Sequence, residues 1–294
     1  MVRDLFRQGR TLFSFEFFPP KTSSGWESLF ATVRELALLE PDFMSVTYGA
    51  GGSSREKTHE LVVRIRQELG VEAVAHLTCV GSTEEEIVRI LEAYDREGIH
   101  NILALRGDIP PSLAHHPNPF GVFPHAVDLV RFIKARFPHM CVGAAAFPEG
   151  HPETPNRLKE MEHLKHKVDA GVDFLVTQLF FDNRDYYDFC ERCELAGIRV
   201  PVIAGIMPIT TRKNMERMAE LAAGMHYPAR LLRALSRVTD DEGFFHVGVH
   251  WAAEQIRDLL DHRVPGIHVY TLNTSRAVKA ICETLGIRHL PQLG

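Results

Sequence analysis

The sequence has little of what membrane, secreted or nucleic-acid-binding proteins need. No window of the chain approaches the roughly eighteen consecutive apolar residues of a membrane-spanning helix. The segment from Met1 to Arg10 lacks the apolar core of a secretion signal. The formal net charge is −5, so there is no basic surplus to attract nucleic acids or anionic membranes. We therefore expect a cytoplasmic protein with no nucleic-acid or membrane partner.

Cysteine is scarce. The 294 residues include five cysteines, and this odd number in a large chain fits reduced thiols better than a disulfide framework. Cys190 and Cys193 form a C-x-x-C pair, but the pair lies inside a helical pattern and not at the strand-to-helix turn of a thioredoxin-like site. We predict neither a redox nor a metal role for it.

Several catalytic motifs are also missing. The chain has no G-x-S-x-G, no P-loop and no strand-borne G-x-G-x-x-G, which leaves serine hydrolysis, P-loop chemistry and a Rossmann cofactor site without support. No lysine falls in the second half of a predicted strand, which argues against a Schiff-base aldolase. The first strand lacks an H-x-H, and the pairs His163/His166 and His246/His250 lie on predicted helices, so we predict no metal site.

The chain does contain a regular alternation of short apolar runs and longer amphipathic ones. With 45% apolar and 24% charged residues, its composition is that of a globular protein with a large core. The alternation is typical of parallel strands joined by crossover helices. The predicted strands are LFSFEFF, FMSVTYG, AVAHLTCV, NILALRGD, CVGAAAFPE, DFLVTQLFF, PVIAGIMP and IHVYTLN.

Capping signals mark the ends of the predicted helices. Three S-x-x-E pairs have the spacing of a capping box where helices should begin. Glycines follow several helical patterns, as left-handed C-terminal caps require. The pairs are Ser24/Glu27, Ser53/Glu56 and Ser82/Glu85, and the glycines are Gly70, Gly98, Gly171, Gly197 and Gly286.

Eight strand–helix units favour one closed (β/α)8 barrel domain over residues 1–294. A doubly wound open sheet is the alternative. Between Ala219 and Pro265 the sequence is helical and longer than one crossover needs. We interpret this stretch as extra helices between the seventh and eighth strands and not as a second domain.

Polar residues stand late in seven of the apolar strands. Barrel enzymes place their chemistry at the carboxyl ends of the strands. A hydrogen-bonded core histidine or a structural ion pair could explain any one of these residues. A full ring of them favours a site, because an unpaired buried polar group costs about 1–3 kcal/mol. The residues are Glu16, Thr47, Tyr48, His76, Arg106, Asp108, Glu149, His151, Gln178, Thr271 and Asn273.

Glu16 is the most unusual of these residues, since it lies among phenylalanines. Strand alternation puts Ser14 and Glu16 on the face opposite Phe13, Phe15 and Phe17, so the aromatic rings can pack under helices while the carboxyl group faces the barrel mouth. In a partly dry mouth we expect the pKa of Glu16 to rise, as a general acid requires. The other carboxylate, at position 108, is expected to stay ionised and act electrostatically.

Eight motifs in order carry a resemblance to a known family. They are SFEFFPPKT, VTYGAGGS, AHLTC, ALRGD, AAFPEGHPE, TQLFFD, GIMPI and YTLN. On these motifs, from about residue 11 to residue 287, the chain resembles the methylenetetrahydrofolate reductases of bacterial type. The resemblance implies a barrel that holds FAD and passes electrons from NADH or NADPH to 5,10-methylenetetrahydrofolate, giving 5-methyltetrahydrofolate. The two half-reactions would share one site in turn, in a ping-pong scheme.

The resemblance also implies roles for individual residues. Glu16 matches the general acid that assists opening of the folate five-membered ring, and Asp108 matches an aspartate that would stabilise the cationic iminium. Gln178 looks like the residue that hydrogen-bonds the pterin, and Thr47 could also face the nicotinamide. The implied FAD contacts are Thr47, Tyr48, Ala50, His76, Arg106, Gly107, Asp108 and Ala126 at the ring and ribityl chain, and Phe147, His151, His163 and Lys167 towards the diphosphate and adenosine.

Two departures from the family pattern bear on the partners. After GIMPI, where relatives can present an aromatic residue, this chain has Arg212 at the nearest position. This departure leaves open an alternative, a flavoprotein subunit that receives electrons from a partner protein. After YTLN the chain has Thr274, and Arg276 follows as the predicted contact for the folate glutamate tail. We expect a homo-oligomer.

Overall fold

Eight parallel strands close into a barrel in the computed structural model, which describes residues 1–20, 25–48, 55–109, 113–222 and 224–293. Closure is made by β1 and β8, where Phe15 lies opposite Val269. The (β/α)8 prediction is therefore confirmed, and the open sheet is wrong. The strands are β1 Leu12–Phe17, β2 Phe43–Val46, β3 Glu72–Thr78, β4 Asn101–Leu105, β5 Cys141–Ala146, β6 Phe174–Thr177, β7 Val202–Ile206 and β8 Gly266–Tyr270.

Helices follow each strand, as the amphipathic patterns predict. One short helix precedes the barrel, and three lie between β7 and β8, where the sequence predicts extra helices. The helices are α1 Val2–Leu5, α2 Gly25–Ala37, α3 Arg55–Leu69, α4 Glu84–Arg96, α5 Ala126–Arg136, α6 Arg157–Asp169, α7 Asn183–Leu195, α8 Arg212–Leu221, α9 Ala229–Leu235, α10 Asp241–Asp261 and α11 Arg276–Thr284. Within the described ranges, no helix is both long and apolar enough to cross a membrane.

Strand alternation separates two layers of core. Phe13, Phe15 and Phe17 of β1 are buried in the layer between the barrel and its helices, as predicted. Residues on the opposite faces of the strands fill the barrel interior. At the amino ends of the strands, Val2 of α1 is fully buried against this inner layer, and its backbone N–H donates to Asn101 Oδ1 at 2.9 Å. The packed interior leaves the carboxyl ends of the strands as the place for a cavity.

The helix ends follow the predicted capping signals, with one shift. All five predicted cap glycines have positive φ. The capping box of α4 is formed by Thr83 and Glu86, one residue later than the predicted Ser82/Glu85 pair. The prediction was wrong because Ser82 is buried, whereas the Thr83 hydroxyl is free to accept from the third N–H of the helix. The serines of the other two pairs lie outside the described residues.

The C-x-x-C pair lies on α7, where its sequence pattern predicts it. Cys193 is buried and Cys190 is half-buried, and both are free thiols. Burial raises the pKa of Cys190 to about 11 and that of Cys193 to about 12. Thiols with such pKa values hold their protons at neutral pH and are poor nucleophiles.

The three helices between β7 and β8 pack as a unit on one side of the barrel. They share a buried cluster with Leu179, Phe181 and Ile209, which follow β6 and β7. Helix α10 approaches the chain after β7 so closely that a Cβ on Gly248 would lie 1.8 Å from the carbonyl oxygen of Ile209. Glycine is therefore required at this crossing of two backbones.

We expect Gly248→Ala to lower the free energy of unfolding by about 1–3 kcal/mol, because the methyl group forces α10 away from Ile209. Urea unfolding at pH 7 measures the change. The matched control is His250→Ala on an exposed position of the same helix, which should stay within about 0.5 kcal/mol of the parent protein. A Gly248→Ala protein as stable as the parent would contradict the close contact.

Candidate active site

A cavity of about 310 Å³ opens at the carboxyl ends of the strands. Its volume lies in the range of small-molecule sites, and its wall combines apolar side chains with a few polar ones, as such sites do. The structure brings together eight of the residues predicted from the sequence. They are Glu16, Thr47, Tyr48, His76, Gly107, Asp108, Phe147 and Gln178.

The strands end earlier than the apolar runs suggest, and this places most of the polar residues beyond them. Thr47 follows β2, Asp108 follows β4 and Gln178 follows β6, whereas Glu16 and His76 lie within their strands. Side chains in the loops can extend across the mouth of the cavity, while those in the strands line its wall. The expectation that these residues lie within strands was therefore wrong for the three in loops. Thr47 and Gln178 lie one residue beyond their strands, and Asp108 lies three residues beyond β4.

Gly107 gives the loop after β4 its path. The residue has φ +83°, and a Cβ there would lie 2.7 Å from Val80 Cγ1 and 2.9 Å from Thr78 Cβ. A side chain fits neither this conformation nor this space. The glycine thereby lets the backbone run along β3 and carries Asp108 onto the cavity wall.

Glu16 lies at the centre of a buried hydrogen-bond network. Its Oε2 atom is 3.4 Å from His268 Nε2 and accepts from Ser45 Oγ at 3.5 Å. The His268 ring is almost completely buried, and its Nδ1 lies 2.7 Å from Ser14 Oγ. His76 Nε2 approaches the same oxygen of Glu16 at 3.4 Å. The predicted orientation of Ser14 and Glu16 away from the phenylalanines is confirmed.

The pKa of Glu16 corrects the expectation from the sequence. Burial raises this pKa, but the hydrogen bond from His268, the attraction of His76 and His268 in their protonated forms and the hydrogen bond from Ser45 together lower it below the ordinary value of 4.5. Glu16 is therefore ionised at neutral pH in the structure. Only the apolar neighbours of Glu16 are evident from the sequence, because its polar partners lie on strands that are distant in the chain.

His76 is held in its neutral form. Burial lowers its pKa from 6.5 to about 4, although the nearby Glu16 carboxylate opposes the shift. Its Nε2 atom is buried and makes no hydrogen bond within the described part of the chain. A buried nitrogen that makes no hydrogen bond and lies on a cavity wall is available to a ligand.

The floor of the cavity is fixed by Tyr270 and Thr177. The Tyr270 hydroxyl donates to the Thr177 carbonyl at 2.6 Å, and the Thr177 hydroxyl accepts from the Gly205 N–H at 2.8 Å. Gln178, the next residue, uses its Oε1 to accept from the Leu179 N–H at 2.9 Å. Because Oε1 is engaged, the amide nitrogen of Gln178 is the group that this side chain presents to a ligand.

Charged residues flank the cavity on the side of β4 and β5. Arg106 forms a two-point ion pair with Glu153 at 2.6 and 2.9 Å. Lys167 donates to the carbonyl of Ala145, a residue of the cavity wall, at 2.6 Å, and burial lowers the Lys167 pKa to about 8. His151 lies close enough to Arg106 and Lys167 for burial and their charges to lower its pKa. Two of the predicted diphosphate-side residues, His151 and Lys167, thus lie in one group with Arg106, which the resemblance assigns to the ring and ribityl chain.

The remaining predicted residues lie elsewhere. Ala126 begins α5, and His163 is exposed on α6. Arg276 begins α11, where it pairs with Glu242 at 2.6 Å and covers the ring of Phe245. None of these three is part of the cavity wall, and their roles stay predictions. Arg212 lies over the Phe244 ring at 4.6 Å, and Ala50 is outside the described residues.

The partners of Glu16 were not predicted from the sequence. Ser45 and Tyr270 lie directly opposite Glu16 in the register of β2 and β8, and His268 lies opposite Ser14. A signal for them exists in IHVY, where His268 and Tyr270 alternate with apolar residues as Ser14 and Glu16 do in FSFEF. Pairing the first strand with the last would have brought the two patterns together.

The pKa of His76 makes stability depend on pH. Between pH 6.5 and 4 the unfolded chain binds more protons than the folded protein, so the free energy of unfolding should fall as the pH decreases through this window. We expect a loss of about 3 kcal/mol from this group, and none above pH 6.5. In His76→Gln that part of the loss should disappear in urea titrations at several pH values. The exposed His250→Gln is the control, and equal slopes for His76→Gln and the parent would contradict the assignment.

Comparisons with known proteins show a similarity to one enzyme family. The family model described as methylenetetrahydrofolate reductase matches residues 1–286. The chain is 38% identical over 282 residues to the 5,10-methylenetetrahydrofolate reductase of Escherichia coli, covering 96% of this chain and 93% of that protein. It is 38% identical over 297 residues to methylenetetrahydrofolate reductase (NADH) 1 of Arabidopsis thaliana, covering 97% of this chain but only 50% of that protein.

A solved structure shares the fold. It is an uncharacterized protein from Clostridium thermocellum that binds two copies of 5-methyl-5,6,7,8-tetrahydrofolic acid, with a TM-score of 0.65 and 15% identity over 98% of this chain and 99% of that one. At this identity the likeness concerns the barrel alone. The family model and the sequence relatives show that this chain belongs to the methylenetetrahydrofolate reductase family.

Proposed function

We propose that this protein reduces 5,10-methylenetetrahydrofolate to 5-methyltetrahydrofolate with bound FAD, using NADH or NADPH as electron donor. The observation that carries the proposal is the convergence of Glu16, Asp108 and Gln178 on one cavity at the barrel mouth, in a chain of this family. The two half-reactions would use the same cavity in turn, because these three groups line one cavity.

The cavity wall fits a flavin. The buried Nε2 of His76 makes no hydrogen bond in the described chain, Gly107 adds a stretch of wall without a side chain, and Phe147 and Tyr48 offer flat apolar surface. Bound FAD would supply the hydride that reduces the substrate. Lys167 would hold its diphosphate, since it is a cation on this side of the cavity. Arg106 would contact the ring and ribityl chain, in competition with its ion pair to Glu153.

Glu16 holds the proton for the substrate. All hydrogen-bonding and ionic contacts of its carboxylate within the described chain are made by Oε2, so Oε1 is the oxygen that can meet a substrate atom. Ligands that cover the mouth remove water from the carboxylate and so raise its pKa above the value in the free protein. Glu16 would then act as a general acid only in the closed site.

Asp108 and Gln178 orient and stabilise the substrate. The carboxylate of Asp108 lies on the wall and would stabilise positive charge that develops on the folate when its five-membered ring opens. The amide nitrogen of Gln178 would donate to an acceptor of the pterin, because its own oxygen is held by the Leu179 N–H. Gln178 directly follows β6, and Asp108 lies three residues after β4, directly after Gly107.

The direct test of the proposal is the colour of the protein and its response to the two substrates. The purified protein, reconstituted with FAD if needed, should absorb light at about 450 nm, as oxidised flavins do. Under anaerobic conditions NADH or NADPH should bleach it, and methylenetetrahydrofolate should restore the colour. A protein that takes up no FAD would overturn the proposal. Bleaching only after addition of a cell fraction would favour electron delivery by a partner protein.

Glu16→Gln separates the two half-reactions. The variant keeps the shape of the side chain but cannot carry the proton, so turnover of methylenetetrahydrofolate should fall by about 10²–10⁴-fold while reduction by the nicotinamide remains. Anaerobic stopped-flow absorbance measures both steps. The control is Glu35→Gln on α2. The Glu35 carboxylate pairs with Lys279 at the surface, so this change should leave the rates of both half-reactions unaltered. Normal folate turnover in Glu16→Gln would remove Glu16 from this role.

A further inference from the structure

The loop that follows β5 shapes one side of the cavity. Residues 147–153, here called the β5 loop, lie between β5 and α6. Phe147 is part of the cavity wall, and its ring meets the His151 ring edge-on, with 4.7 Å between the ring centres. Glu153 holds Arg106 in the two-point ion pair. The position of the β5 loop therefore decides the form of the wall on this side.

The middle of the β5 loop is attached to the rest of the molecule by Glu149. Its side chain is only 9% exposed, and its Oε1 accepts from the His226 backbone N–H at 2.8 Å. The same oxygen makes a short contact with His226 Nδ1. Oε2 makes no hydrogen bond in the described part of the chain. Within the described ranges, His226 therefore supplies every hydrogen bond that this buried carboxylate accepts.

The His226 ring lies between two carboxylates. Glu149 is on its Nδ1 side, and Nε2 faces Asp185 Oδ2, in the first turn of α7, at 3.8 Å. That distance is too long for a hydrogen bond, so Asp185 acts on the ring through its charge. Burial raises the pKa of both carboxyl groups, and the attraction of His226 in its protonated form opposes the shift. A cation at position 226 therefore stabilises both carboxylates.

The segment that carries His226 is itself fixed. The hydroxyl of the next residue, Tyr227, donates to the Met215 carbonyl of α8 at 2.6 Å. The Tyr227 ring lies against the Phe181 ring, with 4.8 Å between their centres, at the edge of the buried cluster formed by the helices between β7 and β8. His226 therefore joins the β5 loop to a packed part of the molecule.

We propose that His226 is a positioning residue of the cofactor site, which through Glu149 holds the β5 loop in the conformation that lines the cavity. The inference rests on the proposed binding of FAD. His226 is not among the residues of the described cavity wall, so it acts through the loop and not by contact with the cofactor.

Loss of the ring would change the equilibrium of the loop. The buried Glu149 carboxylate would keep a single hydrogen-bond donor, the backbone N–H of residue 226, and this favours loop conformations that expose the carboxylate to water. Only molecules with the loop in place would bind the cofactor tightly. The apparent FAD affinity therefore falls in proportion to the fraction of such molecules.

Two variants of His226 separate its contacts from its bulk. Phenylalanine keeps a ring but has no donor, whereas arginine supplies both donors and a positive charge. The His226 side chain is 58% exposed, so neither change leaves a cavity in the core. The matched control is His139→Phe. His139 Nε2 lies 2.8 Å from Asp95 Oδ1, and its side chain is 49% exposed, but it precedes β5 at the end of the barrel opposite the mouth.

The first measurement is the FAD affinity of the full chain, stripped of flavin and titrated with FAD by fluorescence. The Kd should rise by about 10-fold in His226→Phe, because loss of one charge-assisted hydrogen bond is enough to shift the loop by this factor. His226→Arg should recover most of the affinity, and His139→Phe should bind as the parent does. Glu149→Gln combined with His226→Phe should bind no more weakly than His226→Phe alone, since both changes act on one contact.

The second measurement is hydrogen exchange of the FAD-free protein, which does not depend on the cofactor. The N–H groups of Gly150 and His151 donate within the structure to the Phe147 carbonyl and to Glu160 Oε1, each at 3.0 Å. Both amides should exchange faster in His226→Phe than in the parent. In His226→Arg they should exchange at the rate of the parent.

The outcomes separate this inference from the proposed function. A parent protein that binds no FAD overturns the proposed function and the cofactor role of His226 together, while the exchange rates still decide whether His226 holds the loop. If the parent binds FAD and His226→Phe binds it equally well, only the role of His226 is overturned. An affinity loss that His226→Arg does not recover, or that His139→Phe shares, also overturns it.

Discussion

The pairing of β1 with β8 is the constraint on which the candidate site depends. Only closure of the barrel brings His268 and Tyr270, near the end of the chain, beside Ser14 and Glu16 near its beginning. The network around Glu16 therefore has partners on β2, β3 and β8 at once. An open sheet with the same strands would leave Glu16 at an edge, without the histidine that now sets its charge.

Much of the fold and of the site could be predicted from the sequence, because the signals are local. Alternation in FSFEF places Glu16 and the phenylalanines on opposite faces, and glycines such as Gly98 mark helix ends through their positive φ. Strand ends were less certain, because an apolar run continues into the loop where side chains still pack, as Leu179 does after β6. The capping box of α4 shifted by one residue because only burial distinguishes Ser82 from Thr83.

What the sequence could not provide is the balance of charges in the site. A carboxylate among phenylalanines suggests a raised pKa, but the direction of the pKa shift depends on hydrogen-bond donors that the fold brings from other strands. His76 shows the complementary case, since its burial outweighs the attraction of the neighbouring Glu16 carboxylate. The free site thus holds an ionised carboxyl group next to a neutral imidazole, and in the proposed reaction bound ligands would have to raise the pKa of Glu16 before it could give a proton to a substrate.

The packed interior beneath the cavity has a kinetic consequence. Tyr270 bridges from β8 to β6 below the cavity, and Val2 is buried against Phe43 and Phe174 further down, so the described chain leaves no passage through the barrel. A ligand that binds at the floor of the cavity can therefore leave only through the mouth. In the proposed reaction a spent reactant would therefore block its successor, and the rate of its release would set an upper limit on the turnover rate.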